Sequence, residues 1–111
     1  MKLQQAIQSR SSDFLSLCQA HQVKTLYAFG SSITEHFNEK TSDIDLLVEI
    51  DEDDPIERGE KLMSFWDKLE AFFHRKVDLL TDTSIKNPIL KKHIDQTKIL
   101  IYDGKGQKIL V

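Results

Sequence analysis

The sequence predicts an α/β (α+β) sandwich with helices packed on a mixed sheet, and three observations point to it. From Asp43 onward, Ile44, Leu46, Val48 and Ile50 alternate with Asp43, Asp45 and Glu49, the period of two that a half-buried strand requires. Two segments, Asp54-Pro55 and Asn87-Pro88, place a side-chain acceptor directly before a proline, which marks a capped helix start. Around them lie short runs rich in β-formers, so that helices and strands interleave along the chain.

In chain order, Leu3, Ala6, Ile7, Phe14, Leu17 and Cys18 recur at helical spacing and predict one amphipathic opening helix that ends near Ala20. Val23 to Phe29 follows as a strand stopping at the tight turn Gly30-Ser31-Ser32. Ser32 to Phe37 suits a short helical turn, and Asn38 to Ser42 a polar loop. The strand beginning at Asp43 has one apolar residue on its polar face, Leu47. Asp54 then caps a helix in which Glu57 is placed to reach back to the cap. Ile56, Leu62, Phe65, Trp66, Leu69, Phe72 and Phe73 form its broad apolar face, which reads as core. Lys76 to Thr81 is a third strand, with Asp78 between apolar residues. A short helix runs from Pro88 to about Ile94, and Lys98 to Tyr102 is a fourth strand. Asp103-Gly104-Lys105-Gly106 turns the chain so that Gln107 to Val111 can return as a hairpin, for four or five strands in all.

At 111 residues one domain is expected, spanning 1–111. The hydrophobic share of 40% and charged share of 30% are those of a globular protein, and no apolar run approaches the roughly 20 residues that cross a bilayer, so no membrane association is expected. The first residues lack the apolar stretch of a secretory signal, and the expected location is the cytoplasm. Cys18 is the only cysteine, which excludes an intrachain disulfide; among Phe14, Leu15 and Leu17 it reads as a small core side chain. The net charge of −3 argues against general nucleic-acid binding, although Lys86, Lys91, Lys92, Lys98, Lys105 and Lys108 gather positive charge late in the chain. A sheet this small ends in an edge strand, a possible pairing surface for a homo-oligomer.

Chemistry concentrates at Gly30-Ser31 and at Asp43 and Asp45. A glycine-serine turn lets backbone amides approach a phosphate, and two carboxylates spaced by two project from one face of a strand, where they can grip the same cations. Such a site usually includes a third carboxylate, and Asp78 is the candidate. If its strand neighbours that of Asp43, mutual repulsion raises carboxylate pKa values until cations neutralise them. Hard oxygen donors suit magnesium or manganese, and no cysteine and histidine set of the kind zinc prefers is present. There is neither a Rossmann fingerprint nor a Walker lysine.

These segments, Leu26-Tyr27-Ala28-Phe29-Gly30-Ser31, Ser42-Asp43-Ile44-Asp45-Leu46-Leu47-Val48 and Val77-Asp78-Leu79, resemble the minimal nucleotidyltransferases (MNT) of the DNA polymerase beta superfamily over nearly the whole chain. The resemblance implies the nucleotidyltransferase fold. It implies that Gly30 and Ser31, with Ser32 beside them, hold a nucleoside triphosphate. Asp43 and Asp45 would bind two Mg2+ ions, with Asp78 completing the metal site and helping to deprotonate an acceptor hydroxyl. The implied reaction transfers AMP from ATP and releases pyrophosphate. The implied partner is a HEPN-domain toxin, which the chain would adenylylate as its antitoxin. Where family members often carry arginines after the Gly-Ser pair, this chain has Ser32, Ile33, Thr34 and Glu35; Lys40, in a spacer of eleven residues between Ser31 and Asp43, could replace that charge. An antitoxin that neutralises its partner by binding alone is therefore the alternative.

The remaining polar features read as structural. Asp51-Glu52-Asp53-Asp54 lacks the glycine and later glutamate of a calcium loop and reads as a solvated turn plus helix cap. His21, His36, His74 and His93 show no paired spacing, and no Gly-x-Ser-x-Gly elbow makes Ser31 a nucleophile.

Overall fold

The computed structural model describes residues 2–30 and 43–111; Ser31, Ser32, Lys40 and the expected helical turn and polar loop between Gly30 and Asp43 lie outside them. Its elements are α1 (Lys2–Ser9), α2 (Ser11–Ala20), β1 (Val23–Phe29), β2 (Ile44–Ile50), α3 (Pro55–Phe73), β3 (Val77–Leu80), a 3-10 turn (Asp82–Ser84), α4 (Pro88–Thr97), β4 (Ile99–Asp103) and β5 (Lys108–Ile109). They form the mixed α/β arrangement that the sequence predicts, with five strands in the order β3-β2-β1-β4-β5. Only β2 and β3 run parallel, joined by α3 as the crossover that a parallel pair needs. The other neighbouring pairs are antiparallel.

One sheet face carries the main core. Leu26, Ala28, Ile44, Leu46, Val48, Val77 and Leu79 pack there with Leu3, Ile7, Phe14 and Cys18 of α1 and α2 and with Phe65, Leu69 and Phe72 of α3. Burial pushes the Cys18 thiol up to about 12, so it stays protonated and serves as packing. His21 staples α2 to α3: its Nδ1 donates to the Leu17 carbonyl at 2.8 Å, and in the neutral ring Nε2 then accepts a hydrogen bond from Ser64 Oγ at 3.0 Å.

The opening helix is two helices rather than one. The chain breaks at Arg10 (φ −136°), whose guanidinium lies 4.6 Å from the Phe72 ring centre, and the break lets Leu3 and Ile7 as well as Phe14 and Cys18 reach the same core. Asp54 caps α3 through the Ile56 amide at 2.9 Å, whereas the Asp54 amide donates to Glu52 and not to Glu57. Glu52 also pairs with Lys61, and Arg58 donates to its carbonyl, so the acidic run shapes the entry to α3. Ile56 is 74% exposed and stands off the apolar face assigned to it. Asn87 caps α4 through the amides of Ile89 and Leu90, and that helix continues one turn past Ile94.

Leu47 departs from the alternation of β2 because the opposite sheet face has a core of its own. It packs there with Phe29 and Ile94 of α4, flanked by Tyr27, Leu80 and Ile85.

Candidate metal and nucleotide site

The strand pairing sets three of the singled-out residues side by side. Asp45 of β2 is opposite Phe29 of β1, the residue before Gly30, and opposite Asp78 of β3. Neighbouring strands lie about 4.8 Å apart and register partners share a face, so the Asp45 and Asp78 carboxylates project side by side. Asp43, two residues before Asp45 and half-buried, completes the group from the chain entering β2. This is the face whose far part is closed by α4, which leaves the beginnings of β2 and β3 as its polar end.

Gly30 is fitted to the carboxylate beside it. Its φ is +65°, a left-handed conformation that glycine adopts without strain, and a β-carbon there would stand 2.6 Å from Asp45 Oδ2. The turn brings its backbone against Asp45 only because no side chain intervenes.

The electrostatics follow from this crowding. The Asp45 carboxyl is raised to about 6, first by burial, then by the negative charge of Asp78, then by that of Asp43. A divalent cation would relieve all three influences, and the donor set, carboxylate oxygens alone, suits Mg2+ or Mn2+ in chemistry. Among the described residues no three Asp, Glu, His or Cys side chains are already gathered as a cation cage.

Two residues beside the site carry a role that sequence reasoning missed. Trp66 Nε1 donates to the Val77 carbonyl at 2.6 Å, and the Val77 amide donates to Glu70 Oε2 at 2.9 Å. Trp66 read only as core and nothing in the sequence singled out Glu70, since a side-chain bond to a backbone in the next element leaves no periodic trace.

A mixed sheet with one parallel crossover, a left-handed glycine at the end of β1 and carboxylates on β2 and β3 is the arrangement of a nucleotidyltransferase fold. The sequence matches the family described as "Polymerase beta, Nucleotidyltransferase" over residues 14–107, and the chain belongs to that family. A Methanocaldococcus jannaschii protein described as "Putative protein adenylyltransferase" is 38% identical over 81 residues, covering 73% of this chain and 79% of the relative. The fold is also that of a solved structure described as "putative minimal nucleotidyltransferase" (TM-score 0.59, 23% identity, covering 86% of this chain and 92% of that one). It is shared by the complex of a tri-AMPylated HEPN toxin with an MNT antitoxin from Shewanella oneidensis (TM-score 0.51, 20% identity, covering 89% and 74%).

Proposed function

We propose that this chain is a magnesium-dependent nucleotidyltransferase that moves AMP from ATP to a hydroxyl of a HEPN-type partner, and that it acts in the cytoplasm as that partner's antitoxin. The observation that carries this is the register of Asp45 with Asp78, with Gly30 against Asp45, in a member of the polymerase beta family. The MNT antitoxin of similar fold, solved with an AMPylated HEPN toxin, supports the choice of partner.

In this reading residues 1–111 work as one domain. Gly30, Ser31 and Ser32 hold the triphosphate by backbone and hydroxyl groups, and Asp43, Asp45 and Asp78 hold the cations. Divalent cations held by these carboxylates would supply Lewis-acid charge at an acceptor hydroxyl and at the leaving oxygen. Asp78 accepts the hydroxyl proton, the acceptor oxygen bonds to the α-phosphorus, and the bond to the β-phosphate oxygen breaks to release pyrophosphate. Burial and the two neighbouring carboxylates keep Asp45 partly protonated near neutral pH until a cation is bound.

Incubation with labelled ATP, Mg2+ and the HEPN-type protein encoded beside it tests the proposal. Label should pass to the partner and be lost in Asp43→Asn and Asp45→Asn. The absence of arginine among Ser32, Ile33, Thr34 and Glu35 favours a second reading, neutralisation by binding alone. Neutralisation by wild type and both variants, without label transfer, would establish it and remove the first.

A further inference from the structure

β3 is a strand of four residues at the edge of the sheet. Its inner side is bonded to β2, beginning with the Ile44 amide donated to the Lys76 carbonyl at 3.1 Å. In a parallel ladder alternate residues turn both backbone groups to the same side, and those of Val77 face outward, away from β2. An edge so short, held on one side, ordinarily frays. Here α3 closes the outer side at Val77: Trp66 donates to its carbonyl and Glu70 accepts from its amide. Trp66 and Glu70 are four residues apart, so one turn of one helix face satisfies both outward groups. Val77 is fully buried, both helix side chains are half-buried, and the next residue is Asp78.

We infer that Trp66 and Glu70 are positioning residues, which fix β3 from its outer side and thereby hold Asp78 in register with Asp45; this rests on the proposed reading of those carboxylates as a cation site. The bonds reach Asp78 through one peptide unit, so losing either lets the strand shift relative to β2. The same contacts occupy the start of one of the sheet's two edges, β3 and β5.

The test uses the full chain with Mn2+ alone as probe, measured by water-proton relaxation, together with backbone amide exchange. In Glu70→Ala, exchange at Asp78 and Leu80 should quicken tenfold or more while Leu26 and Ala28 in β1 keep their rates, and Mn2+ affinity should fall three- to tenfold. Glu70→Gln keeps an acceptor oxygen and should restore both. Should Glu70→Ala not fold, Trp66→Phe, which keeps the aromatic body and removes the donor, provides the same comparison. Unchanged β3 exchange in the folded variants, or a Glu70→Gln as impaired as Glu70→Ala, would overturn the inference. Asp45→Asn separates the two ideas: if it binds Mn2+ like wild type, the cation-site reading fails, while amide exchange still decides whether α3 fixes β3.

Discussion

Gly30 and Asp45 share a space that only glycine leaves open: a β-carbon at residue 30 would stand 2.6 Å from Oδ2 of the aspartate. Alanine there meets two penalties, the left-handed backbone at φ +65° and the carboxylate itself. Together they should cost about 1–3 kcal/mol in urea unfolding. The two parts can be separated. In an Asp45→Ala background the carboxylate is gone, so Gly30→Ala should cost only the backbone part, about 1 kcal/mol. Equal costs in both backgrounds would show that the carboxylate yields freely and that the fit is not tight.

Asp45 should lower stability at neutral pH. Its carboxyl is raised to about 6, by burial first and then by Asp78 and Asp43, so between pH 4 and 6 the folded chain holds a proton that the unfolded chain has released. Stability therefore falls as pH rises through that window, and above it the ionised carboxylate remains a cost. Two units correspond to roughly 3 kcal/mol, which partial exposure reduces to about 1–2 kcal/mol. Asp45→Asn should be more stable than wild type by about that amount at pH 7, with the gap closing by pH 4. Urea midpoints at the two pH values measure it. A gap that widened toward pH 4 would mean the carboxyl is lowered in the fold.

His74 closes α3 in the left-handed conformation, at φ 55° and ψ 39°, where helices usually end on glycine. The side chain is exposed, so nothing in the core opposes its removal. His74→Gly should stabilise the chain by about 0.5–1 kcal/mol, seen as a rise of a few degrees in Tm. An unchanged or lower Tm would show that the imidazole contributes a compensating contact.

The same residue shows where the sequence was silent. With His74 in the place of glycine, the end of α3 had no local marker, whereas its start was plain in Asp54-Pro55. Strand periodicity and caps gave the elements because they are local. The break at Arg10 was hidden because it answers to Phe72, far along the chain. At the candidate site, spacing and apolar flanks singled out Asp43, Asp45 and Asp78. The register that aligns Asp45 with Asp78 was not, since it depends on which strands become neighbours. Nor was the fit of Gly30 to Asp45, which appears only once β1 and β2 pair.

Leu47 is the residue through which the hidden second core can be tested. It broke the alternation of β2 because Ile94, 1% exposed, closes over it together with Phe29. Phe29 is also the register partner of Asp45, so this small core ties α4 to the strand ends that carry the polar residues. Ile94→Ala removes the most deeply buried of the three buried side chains that this cluster has among the described residues and should cost about 2–4 kcal/mol, while Ile94→Val should cost about 1 kcal/mol. Because the main core lies on the opposite face, the loss should begin locally: amides of α4 and of Leu47 should exchange faster while those of α2 keep their rates. A cost below 1 kcal/mol for Ile94→Ala would mean that the second face collapses around the gap, and that α4 is held by the Asn87 cap and by the ion pair of Lys91 with Asp82 at 3.2 Å instead.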